Sequence, residues 1–193
     1  MLFKLELIIN KILLDLIPKT EKNVKKGNKI FGGIILDKKN YSTVVTGVNN
    51  ELINPLFHGE ISTINNFFKI KKKINPKDCI FISSHEPCSL CLSAITWSGF
   101  DNFIYLYPYE DTNLKFQIPH DLKILDQVFK VKKGQYNNNN YYWKSYSIIK
   151  EISKLSKKKQ NFLNNKITII NEKYKELSEL YQKNKKNNKI PLN

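Results

Sequence analysis

The stretch 83–91, SSHEPCSLC, holds two of the three cysteines in a 193-residue chain, spaced C-x-x-C behind a proline. A thiolate is a soft metal donor, and C-x-x-C places two of them on one side of a turn that enters a helix. Two donors do not complete a site. The other soft or borderline donors are Cys79 and the three histidines, His58, His85 and His120. His58 opens the segment HGEISTI, with Glu60 two residues on. At a helix start that spacing turns an imidazole and a carboxylate toward one cavity. His58, Cys88 and Cys91 would supply three protein ligands to Zn2+ and leave a fourth position for water, the layout of catalytic zinc. Glu60, outside the ligand set, would move the proton of that water. Pro87 fixes the approach to the second helix, whose N-terminal dipole favours thiolate at Cys88. The competing arrangement is a closed structural site of Cys79, His85, Cys88 and Cys91. It leaves the His58/Glu60 pair without a role, and Cys79 begins an apolar run, where a free cysteine packs as a small hydrophobe. His120, in IPHDL, reads as a surface or helix-start residue.

Periodicity shows which elements must carry these residues. Residues 31–36 and 41–48 predict a hairpin about a turn at 37–40. The segment from His58, HGEISTINNFFKIKKK, predicts a helix with Ile61, Ile64, Phe67 and Phe68 near one face, broken at Asn75-Pro76. DCIFISS predicts a buried strand, and CSLCLSAITWSGF a helix ended by Gly99. NFIYLYPY predicts a strand stopped at Pro108, and residues 121–130 an amphipathic helix. The order β-β-α-β-α-β-α predicts an α/β sandwich with helices on both faces of a sheet. Ahead of it, residues 1–20 predict an amphipathic helix with Leu5, Ile8, Ile9, Ile12 and Leu16 near helical spacing. Lys4, Glu6, Lys11 and Asp15 make that segment too charged for a membrane span, and it lacks a signal-peptide pattern. The expected organisation is an N-terminal helix over 1–20, one domain over 21–150, and a basic, helix-like, solvated tail over 151–193. No membrane partner is expected. With few cysteines and no disulfide framework, the expected location is cytoplasmic.

The formal net charge is +15, and all 32 basic residues are lysine. A strongly basic chain attracts phosphate backbones, so RNA contact through the basic tail stays open. Arginine, the residue best suited to bidentate phosphate contact, is absent. An A/T-rich coding sequence yields this Lys, Asn and Ile usage without selection for a polyanionic partner.

H-x-E combined with P-C-x-x-C is the known signature of zinc nucleobase deaminases. From about Phe31 to Lys130 the sequence resembles the cytidine deaminase-like superfamily. GVNNELINPLFHGEISTI is similar to the first motif of fungal-type cytosine deaminases, which also carry H-G-E-I-S-T. EPCSLCLSAITWSGF is more similar to guanine deaminases and tRNA adenosine deaminases. The resemblance implies a three-layer α-β-α sandwich about a five-stranded mixed sheet, a homodimer, and a zinc ion held by His58, Cys88 and Cys91. It implies hydrolytic release of ammonia from a small nucleobase or nucleoside, cytosine-like or guanine-like, with Glu60 as proton carrier. The alternative is tRNA adenosine deamination. A non-catalytic partner subunit is a third reading, disfavoured because Glu60 is present. In that superfamily an Asn after the second strand bonds the substrate. Here it maps to Asn49, with Asn50 as the other register and an ordinary turn residue as the plain reading. Phe57, where purine deaminases commonly carry a smaller residue, would narrow the pocket. Trp97 would stack on the base or pack in the core. Tyr105, Tyr107 and Tyr109 read first as core packing, and Trp143 as an aromatic closing over the site.

Overall fold

Pro18 does not stop the first helix. Residues 5–24 are helical throughout, as α1 (Leu5–Lys11), a π-helical turn (Ile12–Leu16) and α2 (Ile17–Val24). Proline has no N–H to bond the carbonyl four residues back, and its ring crowds that carbonyl. A widened turn just ahead of Pro18 accommodates both effects, so the helix runs past the expected boundary at residue 20. Leu5, Ile8, Ile9, Ile12 and Leu16 are all buried, as their spacing predicts. This computed structural model describes residues 4–71 and 73–192. The first three residues of the predicted N-terminal helix, and Lys72 in the helix predicted from His58, lie outside the described residues.

The hairpin follows as β1 (Gly32–Asp37) and β2 (Thr43–Val48). Then come α3 (Gly59–Phe68), β3 (Cys79–His85), α4 (Ser89–Trp97) and β4 (Asn102–Tyr107). Gly99 ends the fourth helix at φ +79°, a conformation glycine adopts without a Cβ penalty. Two short helices, α5 (Tyr109–Leu114) and α6 (His120–Gln127), precede β5 (Lys144–Ser147). The chain closes with α7 (Ile148–Ser153) and the 28-residue α8 (Lys157–Asn184). The five strands lie in the order β2-β1-β3-β4-β5. β1 is antiparallel to β2 and β3, whereas β3, β4 and β5 run parallel. The sheet is mixed, as expected. Neither β5 nor α5 stands out in the sequence: KSYS has no apolar run, and α5 directly follows the strand-like NFIYLYP.

Period-two alternation divides the core into two layers. Ile34, Leu36, Ile80, Ile82, Ile104 and Leu106 face the side covered by α1, α2, α7 and α8. Ile35, Phe81, Phe103 and Tyr105 face the side covered by α3 and α4. The result is a three-layer α-β-α sandwich. Within α3 the buried face is Glu60, Thr63, Ile64 and Phe67, whereas Phe68 is exposed. That rotation follows from contact with the sheet. A Cβ on Gly47 would lie 2.3 Å from the Thr63 nitrogen, and one on Gly59 would lie 2.4 Å from the Gly32 Cα. The helix touches the backbone of both hairpin strands, and only glycine permits so close an approach.

The segment 151–193, expected as a solvated tail, is helical but only its outer face meets solvent. Leu163, Ile167, Ile170, Tyr174, Leu177 and Tyr181 recur every three or four residues and are buried in the same layer as α1. Lys166 Nζ donates to Asn10 Oδ1 at 2.8 Å, and Tyr107 Oη donates to Asn171 Oδ1 at 2.9 Å. Among the described residues no helix is long and apolar enough to cross a membrane. Tyr174 is fully buried in this stripe. Tyr174→Ala should therefore cost roughly 3–5 kcal/mol, the range for emptying a large aromatic site. Urea unfolding checks this; a cost below about 1 kcal/mol would mean that α8 does not belong to the core.

Candidate metal and active site

β2 and β3 end on the same edge of the sheet, and each leads into a helix start. His58 occupies the N-cap of α3 and Cys88 the N-cap of α4, and neither side chain caps its own helix. Such positions favour Ser, Thr, Asp or Asn, which bond the first helical amides. Here the two side chains turn toward each other instead. His58 Nδ1 lies 3.4 Å from Cys88 Sγ and 3.7 Å from Cys91 Sγ. All three donor atoms fall within 4.8 Å of one another. Zinc bonds of about 2.0 Å to nitrogen and 2.3 Å to sulfur, at a tetrahedral angle, separate N and S by about 3.5 Å. Both the donor set and its spacing fit zinc.

Charge within the cluster is unequally shared. The Cys88 thiol is held well below its usual range by the hydrogen bond from Cys91, against the opposing effect of burial, and by His58 beside it. Cys91 is pushed well up by burial and by the negative charge on Cys88. Burial works to lower His58, but its bond to Cys88 outweighs that and raises it to about 9. In the free protein the cluster thus favours negative charge on Cys88 and positive charge on His58; a metal would replace protons there.

Glu60, in the first turn of α3, is fully buried directly behind the cluster. Its Oε1 accepts from Ser83 Oγ at 2.7 Å, and its Oε2 accepts from Cys91 Sγ at 3.3 Å. Burial raises its pKa, partly offset by the Ser83 hydrogen bond. His85 Nδ1 is 3.5 Å from Glu60 Oε1. Its ring stacks on Phe31 with centroids 3.8 Å apart and planes within 13°. Burial lowers His85 to about 3, so it is neutral.

A cavity of about 280 Å3 opens in front of the cluster. Its polar wall includes Asn49, Glu51, His58, His85, Cys88 and Asp121. Ile118, Ile124, Pro191 and Leu192 contribute apolar surface from α6, the loop before it and the end of the described chain. Asn49 is buried; its backbone N–H donates to Phe31 O at 3.0 Å, and its side-chain oxygen has no hydrogen-bond partner. Burial, with the negative charge of Cys88 next, raises Asp121 well above the usual carboxylate range.

Several expected residues lie elsewhere. Phe57 and Asn50 line a separate groove with Lys19, Lys22, Lys26 and Lys69. The chain reverses between Asn50 and Phe57, whose backbones bond at 2.8 Å, and this places both outside the cavity wall. Trp97 is 91% exposed at the far end of α4, about 13 Å along the axis from Cys88 at 1.5 Å per residue. Trp143 is buried against Phe103 and donates to Thr96 Oγ1 at 2.8 Å, so it packs in the α3/α4 layer near the end of α4 and is not part of the cavity wall. Tyr105, Tyr107 and Tyr109 are core residues. Glu86 of the EPC motif braces the site, accepting from Tyr136 Oη at 2.8 Å and from Tyr109 N at 3.2 Å. Cys79 takes no part in any metal cluster among the described residues; its thiol points to Asn75 O at the opposite end of β3. Glu51, His120 and Asp121 of the cavity wall were not expected, because no local spacing ties them to the C-x-x-C turn.

The sequence family described as the cytidine and deoxycytidylate deaminase zinc-binding region matches residues 10–107, just over half of the chain and including all four residues of the cluster and its carboxylate. Over 93 residues the chain is 29% identical to a tRNA-specific adenosine deaminase of Rickettsia bellii (strain RML369-C), covering 47% of this chain and 64% of that one. Over 70 residues it is 34% identical to a guanine deaminase of Bacillus subtilis (strain 168), covering 35% of this chain and 44% of that one. The chain thus spans less than two thirds of the length of these relatives. A solved guanine deaminase from Nitrosomonas europaea shares the fold, with a TM-score of 0.50 at 14% identity over 68% of this chain and 72% of that one. By its family match, its mixed five-stranded sandwich and its zinc-fitting His and Cys cluster, the chain belongs to the cytidine and deoxycytidylate deaminase zinc-binding family.

Proposed function

We propose that the chain is a zinc-dependent hydrolytic deaminase of a free nucleobase or nucleoside, cytosine-like or guanine-like. The observation that carries this reading is the buried Glu60 carboxyl, 3.3 Å from Cys91 Sγ, behind a three-ligand cluster that opens onto a small cavity. His58, Cys88 and Cys91 would hold the metal. When bound, zinc supplies a Lewis acid that makes water nucleophilic near neutral pH. Glu60 would accept a proton from the attacking water and return it to the leaving amine, so that C–O replaces the ring C–N bond and ammonia departs. A carboxyl whose pKa burial has raised suits a group that must both accept and donate. The idle side-chain oxygen of Asn49 and the carboxyl of Asp121 supply hydrogen-bonding partners for the ring edge. A volume of about 280 Å3 suits a single base, and residues 191–192 lie on its wall.

Deamination of a tRNA adenosine is the second reading. The groove lined by Lys19, Lys22, Lys26 and Lys69 favours it, because Phe57, next to the ligand histidine, belongs to that groove and would bring phosphates near the cavity. The small substrate stays ahead because Ile118, Ile124, Pro191 and Leu192 give the cavity apolar surface against which an isolated ring can pack. A homodimer is also proposed. Leu90 and Trp97, one heptad apart on α4, expose an apolar face to solvent.

Ammonia release from cytosine, guanine, adenine, their nucleosides and a tRNA anticodon stem tests the activity. One free base or nucleoside should turn over, and Glu60→Gln should keep zinc while losing about 10²–10⁴-fold in kcat. Turnover of the RNA alone would overturn the small-substrate reading, and an active Glu60→Gln would overturn the mechanism. In sedimentation, Trp97→Asp should shift the parent dimer to monomer; a parent that already sediments as a monomer would refute the dimer.

A further inference from the structure

We propose that Glu51 is a positioning residue for His58, accepting a hydrogen bond from its Nε2–H and so fixing Nδ1 as the metal-binding nitrogen. This rests on the zinc reading of the His58, Cys88 and Cys91 cluster. His58 presents Nδ1 to both sulfurs. A neutral imidazole that binds through Nδ1 carries its proton on Nε2. Glu51 Oε1 lies 3.9 Å from that nitrogen.

Two features of Glu51 point to this role. Its side chain is fully buried, and Oε1 has no hydrogen bond although it sits 3.3 Å from Lys29 Nζ. Oε2 is occupied, accepting from the Lys29 backbone N–H at 3.2 Å. A buried carboxylate with an idle oxygen carries a desolvation cost that a single further bond would relieve. The nearby Nε2–H is such a donor, and closing the gap to an ordinary bond requires about 1 Å of side-chain movement. The loop holds Glu51 in place meanwhile: Leu52 N donates to Asn28 Oδ1 at 3.0 Å. Charge also balances locally. Zinc with the Cys88 and Cys91 thiolates is formally neutral, and Lys29 neutralises Glu51. The carboxylate therefore orients and polarises the imidazole without loading the site with net negative charge, as outer partners of metal-bound histidines do.

Zinc affinity of the full chain, measured by competition with a chromogenic chelator, tests the assignment. Glu51→Leu should weaken zinc 10–100-fold. Glu51→Gln, whose amide oxygen can still accept from Nε2–H, should lose clearly less. Zinc affinity unchanged in Glu51→Leu would overturn the proposal, as would equal losses in both variants, which would leave charge alone as the cause. A raised KM with zinc affinity intact would place Glu51 against the substrate instead and also overturn it. Should Glu51→Leu fail to fold, the ¹⁵N imidazole spectrum of the zinc-loaded parent decides: a protonated, hydrogen-bonded Nε2 on His58 is expected, and an Nε2–H in fast solvent exchange refutes it. His58→Ala separates the two levels, since zinc retained at full affinity in that variant would remove the cluster reading itself.

Discussion

A carboxyl with no solvent exposure, Glu60, must sit where two helices begin, and most of the local architecture follows from that demand. Burying an ionisable group uncompensated costs several kcal/mol. Here the Ser83 hydroxyl and the Cys91 thiol each donate to one of its oxygens, and the first turn of α3 adds a favourable dipole. Those partners come from β3 and α4, so the carboxyl is satisfied only if α3 lies hard against the sheet. Gly59 against Gly32 and Gly47 against Thr63 are the contacts that let it do so. The same approach delivers His58, one residue before Gly59, to the sulfurs of Cys88 and Cys91. The His58, Cys88 and Cys91 cluster and the carboxyl behind it are thus placed by a single packing decision.

How much of this can be read from residues alone depends on whether the information is local. His58, Glu60, Cys88 and Cys91 are legible because metal chemistry admits few residue types, and helix starts restrict their spacing. Strands β1, β3 and β4 are legible because their buried runs are rich in Ile, Leu and Phe, and β2 because its Val and Thr follow a turn. β5 is not, since KSYS at a sheet edge takes its pairing from β4 rather than from its own apolarity. The stripe on α8 is diluted by lysine and asparagine, so its composition suggests solvent although its three-and-four spacing buries one face. Phe57 and Trp97 show the limit of proximity in sequence. One residue from a ligand, the side chain leaves the loop on the other side. Nine residues on, the helix has carried it far from its own N-terminus. Glu51 and Asp121 reach the cavity only because the loop after β2 and the start of α6 converge there.

Basic charge and catalytic chemistry occupy different surfaces. Lysines cover the outer face of α8 and one side of α2, whereas the cavity wall is apolar apart from a few converging polar groups. Low-polarity walls strengthen the electrostatic interactions among the groups they enclose. Lys29 is the exception, a cation drawn inward to meet Glu51.

The layer formed by α1, α2 and α8 joins the two ends of the described chain. Lys166 bonds Asn10 across 156 positions, and Asn188 bonds the Gly27 carbonyl across 161. About 130 residues separate the end of α2 from the start of α8, and at roughly 5–20 residues per second a ribosome needs about 7–25 s to make them. Throughout that interval the apolar stripe of the first helix has no α8 to cover it. The stripe therefore waits uncovered until α8, made later, comes to seal it.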